Sequence, residues 1–356
     1  MNKGLAIIFV CVLSILSPVY SQVKFSNEFL NIGVGARALG MGNVSLANVG
    51  DVTAGYWNPA SLVYQKNNIE VALMHSEYFA GIAAYEYGAI SFKLDSVSAF
   101  GISIVRFGVD DIPNTLDLVD ANGNFDYNRI TSFSSADNAF LFSYGRVMGP
   151  KGLSVGGNVK IVYRKVGGFA SAIGFGADLS AHYKNKNWLF GAILRDATNT
   201  FNAWSFNTEE LEEVFLRTGN EIPENSLELT LPKLLVGAGY KFNIKDKFEI
   251  YPEANLEFTF DGKRNVLIKG NVFNIDAKVG FEANYKEVVY LRMGINNIQD
   301  ETLLSGERKK TFQPNIGVGI QFKKVALDYA LTDVGDQSIA LYSNVFSLRI
   351  GINKRK

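Results

Sequence analysis

From about residue 69 onward, the chain alternates between apolar and polar residues over one strand-length segment after another. Between Ile275 and Tyr285 every odd position is apolar, and every even position is Asp, Lys, Gly, Glu or Asn. Because successive side chains of a strand point to opposite faces of the sheet, such a segment has one apolar and one polar face. A soluble β-sandwich would alternate too, so the number of strands, the polar face and the preceding segment must separate the two interpretations.

The alternation predicts an all-β fold, a transmembrane antiparallel β-barrel of about fourteen strands. An apolar face toward lipid and a polar face toward the lumen is typical of outer-membrane barrels. The barrel would span residues 67–356. Its strands are predicted near 69–76, 82–94, 96–107, 137–148, 152–166, 171–184, 187–196, 227–243, 247–261, 272–285, 287–297, 311–323, 324–333 and 340–353.

The predicted connections alternate in length along the chain. Those after the even-numbered strands are tight, such as Asp95-Ser96, Asn185-Lys186 and Lys323-Lys324, whereas several others are long. Short periplasmic turns and long outer loops are expected of an outer-membrane barrel, and a β-sandwich has no reason to sort its loops in this way. The long connections are predicted at 108–136, 197–226 and 298–310.

The segment before the strands begins with an export signal. Lys3 gives a short positive region, Leu5 to Leu16 is an apolar run, and small residues end at Ser21. This pattern predicts a cleaved signal peptide over residues 1–21, because the apolar run is too short to span about 30 Å of hydrocarbon as a helix. The only cysteine, Cys11, would be removed with it, so the mature chain would form no disulfide.

Composition excludes some classes of protein but does not by itself identify a membrane barrel. Lys and Arg balance Asp and Glu at 35 each, so there is no basic field for nucleic acid. No later stretch is apolar for long enough to form a transmembrane helix, so a membrane-spanning chain must use strands that close on themselves. We therefore expect a protein of the bacterial outer membrane, with outer-membrane lipid as its surroundings.

Residues 22–66 do not alternate, and we predict that they form an N-terminal plug inside the barrel. A glycine-rich stretch runs from Asn31 to Asn43, and Asn58-Pro59 is a turn former. The glycines do not fit the dinucleotide-binding fingerprint, and no strand and helix flank them. Arg37 is the expected ion-pair partner for acidic side chains of the lumen.

The inward faces of the predicted strands carry charges of both signs. A satisfied network around a plug explains such a mixture better than a permeation path does, and interleaved glycines indicate that another segment approaches the wall closely. The candidate network residues are Arg164, Asp178, Arg195, Glu282, Arg292 and Arg349.

Phe201, Trp204 and Phe206 form an aromatic group in the long 197–226 connection, before a short acidic helix predicted over 209–216. They are candidates for binding a partner protein, and packing over the barrel mouth is the alternative.

No catalytic residue, metal site or cofactor is predicted. His75 and His182 have no nucleophile or carboxylate arranged around them. Asp110-Asp111 could ligate calcium in a loop, but solvated loop acids are the simpler interpretation. We therefore expect a protein that is not an enzyme.

The stretch Gly35-Ala36-Arg37-Ala38-Leu39-Gly40-Met41-Gly42, followed by Tyr56-Trp57-Asn58-Pro59-Ala60, resembles the N-terminal hatch of the PorV/PorQ family of Bacteroidota. That family is itself similar to FadL-type fourteen-stranded barrels. Further likeness lies in Val105 to Thr115, Gly191 to Thr198 and Phe201 to Trp204, so it extends over most of the mature chain.

The resemblance implies an outer-membrane component of the type IX secretion system. Its implied partners are the type IX translocon and secreted cargo proteins with C-terminal sorting domains. The main alternative is a FadL-like transporter of hydrophobic small molecules, which would need an apolar pocket beneath the loops. A structural outer-membrane protein is the third interpretation.

Overall fold

The structure, a computed structural model, describes residues 26–353 apart from 79–80, 120–122, 150–151, 210–211, 213–214, 217–218, 220, 222, 246, 303–305 and 335–341. The predicted signal peptide therefore lies outside the described residues, and so does much of the helix predicted over 209–216. The strand segments are β1 (Ile69–Tyr78), β2 (Ala83–Lys93), β3 (Ser98–Asn114), β4 (Thr131–Val147), β5 (Leu153–Val166), β6 (Ala170–Asn185), β7 (Trp188–Arg195), β8 (Thr200–Phe206), β9 (Ser226–Thr230), β10 (Lys233–Tyr240), β11 (Phe242–Ile244), β12 (Phe248–Thr259), β13 (Asn274–Tyr285), β14 (Val289–Thr302), β15 (Arg308–Phe322), β16 (Val325–Thr332) and β17 (Ser343–Ile352).

These segments form one antiparallel sheet that closes on itself, because β1 pairs with both β2 and β17. β7 and β8 occupy one position in the wall, since both pair with β6. β9, β10 and β11 together occupy the next position, beside β8, β7 and β12. The wall therefore has fourteen strand positions, and the predicted barrel of about fourteen strands is confirmed.

The apolar face of the wall points outward. Leu73, Phe281 and Val318 are 56%, 45% and 51% exposed, whereas their polar neighbours on the other face, such as Glu282, are buried against the barrel interior. Aromatic side chains such as Trp188 and Tyr240 contact each other near one end of the barrel, as in the aromatic girdle of a membrane barrel.

The two ends of the barrel differ in their connections. The even-numbered wall positions are followed by short turns. The first strand, β1, begins at the same end of the barrel, and the last strand, β17, ends there. Short turns and both chain termini are typical of the periplasmic end of such a barrel. On the outer side β3 extends to Asn114 and β4 begins at Thr131, so that connection is shorter than the predicted 108–136. The predicted loop 197–226 is wrong in its first part, because Thr200–Phe206 continues the wall as β8.

Residues 26–66 fill the lumen and contain only short helices. The helix α1 (Ala36–Gly40) and the helix α2 (Ala54–Trp57) are joined by turns, with 3₁₀ helices at Glu28–Asn31 and Pro59–Tyr64. Among the described residues no helix is long and apolar enough to cross a membrane. The largest apolar core lies between this segment and the inward side of the wall. From the plug it includes Phe29, Leu39, Val52, Trp57 and Leu62, and from the wall Ala72, Tyr85, Val105, Ala139 and Leu141.

Candidate functional site

The backbone of the plug lies directly against glycines of the wall. A Cβ added to Gly294 would come within 2.1 Å of the Met41 carbonyl, and one added to Gly191 within 2.2 Å of the Leu46 oxygen. Gly42 of the plug has φ +70°, and its Cβ would lie 2.8 Å from the Ile295 nitrogen. At each of these contacts the backbone of one segment can approach closely because the other segment has a glycine there, which explains the interleaved glycines of the inward faces.

Arg37 lies on α1 and reaches the wall. Its Nε and Nη2 donate to the two carboxylate oxygens of Glu282 at 2.8 and 2.9 Å, and its Nη1 donates to the Asn48 carbonyl at 2.8 Å. Glu282 lies on β13 and also accepts from Arg292 of β14 at 2.6 Å. A planar guanidinium bound through two nitrogens to one carboxylate fixes both distance and orientation.

The chain of ion pairs continues from Arg292 to a second point on the plug. Arg292 donates to Asp328 of β16 at 2.7 Å, and Arg349 of β17 lies 3.6 Å from the other oxygen of Asp328. Arg349 also pairs with Asp51, which follows α1 in the plug. We call these six residues the plug cluster: Arg37, Asp51, Glu282, Arg292, Asp328 and Arg349.

Glu253 holds the plug by a different kind of contact, which the sequence analysis did not identify. It lies on β12, is 2% exposed, and accepts the backbone N–H groups of Leu46, Ala47 and Asn48 at 2.7, 2.9 and 3.1 Å. The Tyr251 hydroxyl donates to it as well, at 2.7 Å. Alternation predicted that Glu253 faces inward, but no local pattern indicates that a turn of the plug donates to it.

Asn58 and Pro59 connect the second part of the plug to β4, β5 and β6. The Asn58 amide is fully buried and donates to the carbonyls of Leu46 and Ala181 at 3.0 and 3.2 Å. Pro59 begins a 3₁₀ helix. A Cβ added to Gly145 would come within 2.3 Å of the Pro59 carbonyl oxygen. The Asn-Pro turn is therefore placed to fix the plug against the wall.

A second buried charge cluster lies in the wall itself. Lys160 of β5 is 2.9 Å from Asp178 of β6 and 2.5 Å from Asp196, which follows β7. Asp196 has φ +54°, and its N–H donates to Asp178 at 2.8 Å. Thr200 donates to Asp196 at 2.5 Å, where β8 begins. We call Lys160, Asp178 and Asp196 the wall cluster, because it spans the break between β7 and β8.

Arg195, the last residue of β7, points into the plug rather than into either cluster. Its guanidinium lies 4.6 Å from the Tyr56 ring centroid and 5.8 Å from that of Trp57, and it donates to the carbonyls of Leu30 and Tyr56 at 3.3 and 3.4 Å. Arg195 is buried, so these aromatic and carbonyl contacts replace the carboxylate expected for it.

The predicted aromatic group does not form one exposed patch. Phe201 is 40% exposed on the lipid face and contacts Phe175, whereas Trp204 and Phe206 lie on the opposite face of β8. The Trp204 ring is 5.0 Å from the Arg164 guanidinium, and its Nε1 donates to Glu228 at 2.6 Å. The expectation that these three residues lie together in an outer loop is therefore wrong, because β8 extends the wall and alternates them.

Arg164 belongs to this outer group. It donates to both oxygens of Asp137 at 2.8 and 3.1 Å and lies 3.2 Å from Glu228. The six candidate network residues therefore fall into four places: Glu282, Arg292 and Arg349 in the plug cluster, Asp178 in the wall cluster, Arg195 at the plug aromatics, and Arg164 near the outer rim.

Cavities remain on both the outer and the periplasmic side of the plug. The outer one is about 40 Å³ and is lined by Ser26, Asn27, Lys160, Arg195 and Lys233 among others. The periplasmic one is about 380 Å³, and its lining includes charged side chains of both signs. No group of three or more metal-ligating side chains is arranged to hold an ion in the part of the chain that the structure describes.

No protein-family model matches the chain, and no curated protein matches it in sequence. Its fold is similar to solved structures of outer-membrane channels. The toluene transporter TbuX of Ralstonia pickettii has a TM-score of 0.56 and 15% identity, over 90% of this chain and 99% of that one. The toluene transporter TodX of P. putida has a TM-score of 0.56 and 13% identity, over 91% and 99%.

A FadL homologue of Pseudomonas aeruginosa matches with a TM-score of 0.52 and 11% identity, over 89% and 97% of the two chains. Identities this low establish the fold alone. The fold is thus a plugged fourteen-stranded barrel similar to that of the FadL homologue. A closed barrel with an apolar outer face is the architecture of a bacterial outer-membrane protein, and this is where the protein lies.

Proposed function

We propose that the protein admits small hydrophobic compounds across the outer membrane. The observation that carries this proposal is the match over nearly the whole of both chains to two toluene transporters. It favours the transporter that the sequence analysis gave as its alternative. It does not extend to a particular compound, so the substrate class is proposed only as small and apolar.

Passage of a hydrocarbon would need more space than the outer cavity provides. The outer cavity of about 40 Å³ is lined by both charged and apolar side chains, and it is smaller than the ~150 Å³ apolar cavity that accommodates benzene in a protein interior. A hydrocarbon must therefore displace part of the plug. The part that lines this cavity is its beginning, from Ser26 to Asn31.

A disulfide across this contact tests the proposal. The hydroxyl oxygens of Ser26 and Thr230 are 2.7 Å apart, and the mature chain is predicted to have no cysteine of its own, so S26C/T230C would form a single defined crosslink. We expect uptake of radiolabelled toluene by the native protein, loss of uptake in the oxidised double variant, and recovery after reduction. The S26C single variant is the matched control.

Two results would count against this function. Uptake by the native protein no greater than that of cells without it would overturn the proposal. Uptake that persists in the fully crosslinked barrel would overturn the route past Ser26.

A second candidate is docking in type IX secretion, as the sequence resemblance implies. The observation in its favour is that the plug is fixed to the wall by buried ion pairs and by Glu253, which suits a barrel that stays closed. It predicts co-purification from native outer membranes with a large translocon barrel and with cargo carrying C-terminal sorting domains. Co-purification without toluene uptake would favour docking, and uptake without co-purification would favour transport.

A further inference from the structure

The two ends of the barrel carry opposite charge, although the chain as a whole is balanced. Each of the six short periplasmic turns contains a lysine or directly follows one. Of the outer connections, 115–130, 207–225, 303–307 and 333–342 have more Asp and Glu than Lys and Arg, whereas 260–273 has one acid and three basic residues. Those outer connections hold thirteen Asp and Glu against five Lys and Arg. The periplasmic turns, together with the strand residue on each side of every turn, have eight lysines against the three acids Asp95, Asp246 and Glu287. The lysines are Lys93, Lys151, Lys186, Lys245, Lys247, Lys286, Lys323 and Lys324.

The basic end is concave. The periplasmic cavity of about 380 Å³ lies inside the ring of turns, and Lys66, Lys184, Lys241, Lys323 and Lys324 line it. It is also lined by the plug, so its floor is fixed by the plug cluster.

Most acids in the lining already have partners. Glu287 pairs with Lys66 at 2.6 Å, and Glu249 pairs with Lys241 at 3.3 Å. Asp51 and Glu282 belong to the plug cluster, and Glu70 accepts from the plug backbone at Val52 and from Asn67. These carboxylates therefore leave a surplus of positive charge in the cavity.

Three lysines at the mouth supply that surplus. Lys184, Lys323 and Lys324 are exposed and have no carboxylate partner among the described residues. The Lys323 ammonium lies 5.3 Å from the centroid of the exposed Phe322 ring. Their charge is screened within about 8 Å at physiological salt, so a ligand must enter the cavity to use it.

We propose that this cavity is the docking site for an acidic segment, rich in Asp and Glu, of a periplasmic protein. Charge complementarity selects the sign of the partner, because three unpaired lysines lie within one concavity. The shape selects a peptide over a lipid headgroup, because Lys184 and Lys324 line a cavity inside the ring of turns, whereas lipid surrounds the wall. The proposal holds whether the barrel carries hydrocarbons or docks secretion partners.

The test uses the mature protein in nanodiscs and a fluorescent ten-residue peptide of alternating Glu and Ser. We expect K184Q/K323Q/K324Q to weaken binding by about tenfold, as the sum of three modest exposed contacts. Raising the salt from about 50 to about 500 mM should weaken native binding, because screening shortens the range of the field. The matched control is K165Q/K309Q/K310Q, which removes the same charge from exposed positions toward the outer end. Unchanged heat-modifiable mobility of both variants shows that they are folded.

The remaining outcomes decide against the proposal. Equal peptide affinity of the native protein and the periplasmic variant overturns it, and so does an equal loss in the outer control. The same variant is also compared with the native protein for insertion into nanodiscs of phosphatidylglycerol and of phosphatidylcholine. If the variant keeps its peptide affinity but no longer inserts preferentially into phosphatidylglycerol, the lysines bind lipid headgroups instead.

Discussion

The plug cluster and the wall cluster have similar chemistry but connect different parts of the molecule. The plug cluster joins Arg37 and Asp51 of the plug to β13, β14, β16 and β17. The wall cluster contains no plug residue and joins β5 and β6 to the bulge between β7 and β8. One set of ion pairs therefore closes the lumen, and the other stabilises a break in the wall that contains it.

The balance of charge also differs between the two. In the plug cluster three guanidiniums alternate with three carboxylates, so each charge has a neighbour of opposite sign. In the wall cluster Lys160 alone faces two carboxylates, whose other partners are the neutral donors Asn158, Thr200 and the Asp196 N–H. Because breaking a buried pair leaves an uncompensated charge, each cluster should depend most on the residue with the most partners.

The largest effect is expected for Glu282→Ala in the plug cluster. It leaves both Arg37 and Arg292 without their shared carboxylate, at a cost of about 3–5 kcal/mol. We expect the plug to leave the lumen part of the time, so single-channel current should appear in planar bilayers where the native protein gives almost none.

Glu287→Ala is the control for this change, because Glu287 pairs with Lys66 on the surface where both side chains are about two-thirds exposed. It should leave the barrel closed. A silent E282A channel, or a large steady conductance of the native protein, would contradict the assignment of the plug cluster as the lock.

Lys160→Met should separate the two clusters. It leaves Asp178 and Asp196 buried together without a cation, and we expect a loss of about 3 kcal/mol in the free energy of unfolding. The barrel should nevertheless stay closed, because no plug residue is a member of the wall cluster. Unfolding in urea followed by gel mobility measures the first effect, and bilayer current measures the second. Current as large as that of E282A would mean that the two clusters act as one.

The wall could be predicted from the sequence because lipid imposes a strict rule. Every strand must be apolar on its outer face, so alternation alone located the fourteen positions and the parity of the turns. The same rule failed at Thr200–Phe206, because Asp196 to Asn199 interrupts the alternation with two residues at positive φ, Asp196 and Asn199. Only pairing with β6 shows that the strand resumes after the bulge.

The sequence predicts the type of contact that holds the plug, but not which residues make it. The arginine of the glycine-rich stretch and the inward acids indicate ion pairs, but which acid lies opposite Arg37 depends on the depth at which the plug sits. Glu253 shows the same limit, since its three partners in the plug are backbone N–H groups and any sequence could supply them.

Acid should loosen the plug through Asp51, a smaller effect than either substitution. Burial opposes its charged form, but Arg349, Arg37 and the hydrogen bonds from Thr53 outweigh burial, so the pKa of Asp51 lies below its ordinary value. A carboxyl group with a depressed pKa stabilises the folded state above its unfolded pKa of about 3.9 and loses that contribution as the pH falls through the folded pKa.

We therefore expect bilayer current of the native protein to rise as the pH is lowered below about 4. In Asp51→Asn the current should be higher at neutral pH and should change less on acidification. Asp95→Asn, at an exposed turn away from the plug, is the control. An acid response that is the same in D51N and in the native protein would assign the effect to other carboxyl groups.

The smallest expected effect concerns Trp204, which lies beside Arg164 and Glu228 near the outer rim, apart from the wall cluster. Trp204→Phe keeps an aromatic ring over Arg164 and removes the Nε1 donor to Glu228, so it should cost about 1 kcal/mol in unfolding and leave the barrel closed. Phe201→Leu is the matched control on the lipid face of the same strand and should cost almost nothing. If W204F left stability unchanged but weakened co-purification with a secreted partner, Trp204 would have to be available to that partner. That result would restore the exposed aromatic surface that the sequence predicted and would contradict the inward direction of Trp204 on β8.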